Sequence, residues 1–242
     1  SAVVKVGWAK QHLGHMETQV ARLFDDYRKT GGAEHNPQTG GGQLVNFPIP
    51  SVFACAAGDI IFSLRSALDC CWMGLRRATD GIDAKGTLPR ENGFKGVEGT
   101  IDKVAIEDAF PGVKRMLLDE LRAYEGGNEI LWFVAQVDNW NKHNMLILMA
   151  QRTNFGGTTF SSGGRKTVFD DVSMSGFTAA SRFMSTPDPL HLQPNSNMSF
   201  DIILQSRKPV NERLLMPFLR AALKETEKGV KLFVTKFGKG AV

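Results

Sequence analysis

The spacing of apolar residues changes twice along this 242-residue chain, and those two changes constrain its fold more than any other feature. Up to His143 apolar residues recur every three or four positions, the period of helices buried along one stripe. Between Met145 and Ser206 they alternate or form short runs between turn residues, as strands do. From Asn211 the helical spacing returns. Helices, then strands, then a helix define an α+β chain with segregated elements. The expected architecture is a helical bundle with a small antiparallel β-meander inserted before a C-terminal helix. Residues 1–144 form the bundle region, 145–206 the antiparallel region and 207–242 a helix that packs back, all in one folded unit.

In the bundle region, Trp8, Leu13, Met16, Val20, Leu23, Phe24 and Tyr27 predict one long helix over Val3–Lys29, its stripe buried against the next helix. Gly31 and Gly32 end it, and residues 31–50, with Gly40, Gly41 and Gly42 in a row, read as a mobile loop. A second helix is predicted over Ser51–Thr79, a short one over Val97–Ile106, and a third long stretch over Val113–Tyr124. Gly126 and Gly127 break that stretch, and Asn128 is placed to cap a helix over Glu129–His143. Strands are expected over Met145–Thr153, Lys166–Met174, Phe177–Met184 and Met198–Ser206. The last helix is expected over Asn211–Lys236, with Pro217 either kinking it or delaying its start.

Hydrophobic residues make up 42% of the chain and charged residues 22%. That is too apolar for a disordered chain and enough for a core without disulfide or metal staples. The longest uninterrupted apolar runs, near Ile130–Val134 and Met145–Ala150, fall short of the roughly 20 residues a membrane span needs. The first 25 residues alternate polar and apolar, unlike a secretory signal. A cytoplasmic protein with no membrane association is expected. Cys55, Cys70 and Cys71 cannot all pair, and no Cys-x-x-Cys spacing supports zinc, so reduced thiols are expected.

The net charge of +4 is unevenly spread. From Gln205 onward nine basic residues face three acidic ones, while the rest of the chain carries 20 basic and 22 acidic groups. The C-terminal helix, with Lys224, Lys228 and Lys231, could therefore engage a polyanion such as RNA. The same lysines would equally serve as an ordinary solvated face.

Two otherwise apolar helices carry polar pairs. Arg65 and Asp69 lie four apart on the second helix, and Asn139 and His143 four apart before the sheet region, with Asp138 beside them. If the helices pack antiparallel, these groups meet. Arginine with histidine can bind a phosphodiester and move a proton; the same groups can instead knit two helices together as a buried network.

These residues also carry a resemblance. Gly58-Asp59, Leu64-Arg65-Ser66-Ala67-Leu68-Asp69, Gly126-Gly127-Asn128, Asp138-Asn139 and Lys142-His143 resemble a group of uncharacterised bacterial proteins. Their motifs read approximately Leu-Arg-x-Ala-Leu-Asp-His and Leu-Asp-Asn-x-Asp-Lys-His-Arg. The resemblance spans about residues 50–150. The Arg-x4-His of that group is similar to the signature of HEPN domains, helical bundles that often act as metal-independent ribonucleases. By that resemblance Arg65 is the arginine, and the histidine position is occupied by Cys70. A thiol does not replace imidazole as a proton carrier without a strongly lowered pKa. His143 matches the second motif, although Asn141 and Asn144 replace its aspartate and arginine.

Other candidates are weaker. His12 and His15 lack a third ligand for a metal. The glycines at 156, 157, 163 and 164 do not fit a phosphate loop and read as hairpin tips. Asn197-Met198-Ser199 is a glycosylation sequon only in a secreted protein. No cofactor and no metal are expected. The expectation is an RNA-associated, HEPN-like protein, homo-oligomeric and a degenerate or inactive ribonuclease. Arg65 and His143 would be its catalytic residues, and Asp69, Asp138, Asn139 and Cys70 their supports. The alternative is a non-catalytic interaction or assembly protein in which these residues are structural.

Overall fold

A computed structural model of the chain describes residues 1–30, 33–35, 40–45, 49–81, 86–90, 93–144, 149–176, 182–193, 198–204 and 213–238. The fold is α+β, with antiparallel sheets preceding the C-terminal helix, as the spacing predicts. In chain order the elements are α1 (Ala2–Thr30), β1 (Ala33–His35), β2 (Gly42–Val45), α2 (Ser51–Asp80), α3 (Gly93–Lys103), α4 (Ile106–Ala109) and α5 (Val113–Arg115). A π-helical turn, Met116–Leu121, and α6 (Glu129–Asn144) follow. Then come β3 (Met149–Phe155), β4 (Thr158–Ser162), β5 (Arg165–Phe169), β6 (Val172–Gly176), β7 (Arg182–Thr186), β8 (His191–Leu192), β9 (Met198–Leu204), β10 (Arg213–Leu214) and α7 (Leu215–Phe237).

Two compact units share the chain. The first comprises Ser1–Gly14, Cys55–Ile147 and Pro217–Val242, and the second His15–Ala54 and Leu148–Met216.

The first unit is helical. Ile60, Leu64, Ala67, Cys71 and Leu75 repeat every three or four positions along α2 and are fully buried. Ala67, Cys71 and Leu75 share one core cluster with Trp72 of the same helix and with Ile101, Met116 and Phe233. An 18-residue window of α2 reaches a mean hydropathy of 1.4, so by length and composition the helix meets the requirement for a membrane span; half of that window is buried inside the protein. Single charges such as Asp59 and Arg65 interrupt its apolar run without lowering the average, and counting uninterrupted runs misses this.

The predicted helix over Val113–Tyr124 is instead one α-turn followed by the π-turn, closed by Arg122 N donating to Leu117 O at 3.0 Å. The wider turn accommodates the adjacent buried trio Met116, Leu117 and Leu118. Arg122 then takes a left-handed conformation and ends it. Asn128 caps α6 as expected, its Oδ1 accepting from Leu131 N at 3.2 Å. Its Nδ2 donates to Glu225 on α7 at 3.0 Å. Pro217 lies in the first turn of α7, where its missing N–H costs nothing, so it delays the helix rather than kinking it.

The second unit holds three small antiparallel sheets, with strand orders β1-β2-β7, β10-β9-β3-β6 and β5-β4-β8. The stretch 31–50 therefore is not simply a loop. Gly41 and Gly42 bring β2 against the chain near Thr186–Leu190, and a Cβ on Gly42 would fall 2.6 Å from Leu190 Cβ and 2.9 Å from Asp188 O. The expected strand Lys166–Met174 is two strands, because Asp171 adopts φ 50°, a left-handed conformation that aspartate tolerates, and turns the chain. Gly163-Gly164, both at positive φ, form the two-residue tip of the β4–β5 hairpin. Gly156-Gly157, by contrast, joins strands of two different sheets. On the inner side, Phe24 and Tyr27 of α1 pack against Phe200 of β9, with ring centroids 5.7 and 4.7 Å apart.

Candidate functional site

Helices α2 and α6 run past one another so that Arg65 of α2 meets Asp138 and Asn139 of α6. Arg65 Nη1 donates to Asp138 Oδ2 at 2.9 Å, to Ala135 O at 3.3 Å and to Asn139 Oδ1. Arg65 Nε lies 3.6 Å from Asp69 Oδ2, within ion-pair range and beyond a hydrogen bond. A fourth charged group completes the cluster, and the helical periodicities give no sign of it. Arg90, in the segment after α2, donates from Nη2 to Asp69 Oδ1 at 2.6 Å and to Arg65 O at 3.3 Å. Leu88 N donates to the same carboxylate oxygen at 3.0 Å.

The four charged side chains form a neutral quartet, Asp138–Arg65–Asp69–Arg90. It is largely sealed: Asp138 is 1% exposed, Arg90 5% and Arg65 12%. Burial draws the Arg90 guanidinium down to about 10, with Asp69 opposing the shift, so it remains cationic at neutral pH. Removing one member would strand a charge in the interior.

Of the remaining predicted site residues, Cys70 is half-buried and lines a groove with Ser66, Met73, Arg77 and the quartet's Asp69. His143 lies in the last turn of α6, and its side chain is outside the described residues. Lys224, Lys228 and Lys231 are all exposed on α7, and Lys228 pairs with Glu225 at 2.6 Å. His12 packs against Trp8 with the rings tilted and their centroids 5.4 Å apart, while His15 is exposed. Among the described residues no three His, Cys, Asp or Glu side chains are grouped to hold a metal. Asn197 lies outside the described residues.

Arg90 follows Leu88-Pro89, where proline holds the preceding residue extended. Leu88 enters the core and Arg90 reaches the quartet from a segment without helix or strand period. The only available signal was an arginine beside an apolar residue and a proline.

No known protein family, no curated protein and no solved structure matches the chain.

Proposed function

We propose that the protein is an RNA-associated, HEPN-like protein that holds single-stranded RNA electrostatically and does not cleave it. The observation that carries this reading is the stripe of Arg220, Lys224, Lys228 and Lys231 on the exposed side of α7. Their spacings of four, four and three keep them on one face along about three turns. A row of cations of this kind tracks a phosphate backbone without reading bases. The lack of cleavage follows from Arg65, whose guanidinium is engaged by Asp138 and Asn139, and from Cys70, which stands where the resembled motif has histidine. In this reading Arg65, Asp69, Asp138 and Asn139 brace the helices.

The test is fluorescence anisotropy with a single-stranded RNA across a salt series. Affinity should fall steeply between low and physiological salt. Replacing Lys224, Lys228 and Lys231 by Gln should reduce the log–log salt slope by about 2, at roughly 0.7 per phosphate contact. No affinity at low salt would overturn the reading.

A second reading, a non-catalytic assembly protein made of copies of this chain, is favoured by a different observation. Val3, Val4 and Trp8 on α1 are more than half exposed, Trp8 at 54%. Large apolar side chains clustered on one helix face mark contact surfaces. Light scattering of the wild type and of Trp8→Ser distinguishes a dimer that the substitution dissolves from a monomer that it leaves unchanged.

A further inference from the structure

The quartet has two sides. Beside it lies a cavity of about 170 Å³ lined by Arg65, Arg90, Thr87, Gln136 and Asn139 together with Leu88, Pro89, Thr100 and Ala135. That volume is several times the share of one water. The lining includes both arginines of the quartet and neither aspartate. Arg90 is almost wholly buried, with Nη2 donating to Asp69 Oδ1 and to Arg65 O. Asn139 turns its Oδ1 to Arg65, which leaves its amide nitrogen as the other end of the side chain. Among the described residues the wall of the cavity thus carries two arginines and polar side chains and no acid, the two aspartates that neutralise the arginines lying outside it.

We propose that this cavity binds a small oxyanion of the phosphate class. Guanidinium groups bind phosphate oxygens through charge-assisted hydrogen bonds, stronger than those between neutral partners. Asp69 and Asp138, behind the arginines, hold both groups in place before the ion arrives. This site is independent of the basic stripe on α7.

The ligand is either free phosphate or the terminal phosphate of a nucleotide chain, and calorimetry with inorganic phosphate and with a 5′-phosphorylated dinucleotide separates them. The expected result is inorganic phosphate binding at matched ionic strength, raising Tm by about 3 °C near tenfold saturation. Arg90→Gln is the direct variant but breaks the Asp69 pair. Gln136→Glu is the decisive one, because it sets a carboxylate in the chamber wall without touching the quartet's bonds. It should weaken phosphate binding at least tenfold, while Gln at Lys224, Lys228 and Lys231 leaves it unchanged. A dinucleotide that binds where inorganic phosphate does not would assign the site to chain-end phosphate. Binding of neither ligand, or phosphate binding unchanged by Gln136→Glu, overturns the proposal.

Discussion

Asp69 Oδ1 receives two donors at once, Arg90 Nη2 at 2.6 Å and Leu88 N at 3.0 Å, from a segment about twenty residues further along the chain. One carboxylate thereby fastens the 86–90 segment onto α2, while Arg65, one turn before it, reaches across to α6. The helix contact and the loop contact are therefore parts of one electrostatic unit.

The Arg65–Asp138 link should be costly to break from either side. Arg65→Ala or Asp138→Ala alone should destabilise the protein by about 3–5 kcal/mol, because each leaves a buried charge without its counterion. The double substitution should cost less than the two added together, by about 0.5–3 kcal/mol of coupling. Urea unfolding of the four proteins in this cycle measures the difference, and strict additivity would contradict the pairing.

Burial pushes the Tyr27 phenol up to about 12, against the opposing hydrogen bonds of Gln151 and Thr153. A phenol with a raised folded pKa binds its proton more tightly when folded. Its contribution is therefore complete below about pH 10 and lost as pH rises towards 12. Absorbance at 295 nm should show one tyrosine ionising only near pH 12, and Tyr27→Phe should remove that late phase.

Thiol labelling should divide the cysteines by environment. Burial, reinforced by the neighbouring Cys70, pushes the Cys71 thiol up to about 12, whereas Cys55 is exposed. A disulfide reagent at pH 8 should modify Cys55 within the native protein and spare Cys71 until denaturant is added.

Gly42→Ala should destabilise the second unit by more than about 1 kcal/mol, since its Cβ would press on Leu190 and the Asp188 carbonyl. Gly14→Ala, where a Cβ meets nothing within 4 Å, should be neutral or stabilising by comparison in thermal melts.

The long helices were legible because α2 repeats its buried residues at an unbroken helical spacing, and the Arg65–Asp69 pair stood out against that background. Trp8 was not legible. The buried line of α1 runs Ala9, Leu13, Met16, Val20, and Trp8 is one position aside from it; a small alanine holds the place that the larger residue was expected to fill. The break at Asp170-Asp171 was hidden because Val168, Val172 and Met174 on its two sides keep an even spacing, and only the backbone conformation of Asp171 reveals the turn. Arg90 was missed because its place in the quartet depends on how a segment without periodicity folds back, a tertiary matter that local spacing does not encode.

The quartet also governs how this sequence can change. Two arginines and two aspartates sum to zero, so losing any one leaves an orphan, while exchanging a matched pair for apolar residues of similar bulk is often neutral or stabilising. Arg65 with Asp138, and Asp69 with Arg90, form linked positions whose substitutions must travel together. Descendants of this chain should keep both members of a pair or discard both.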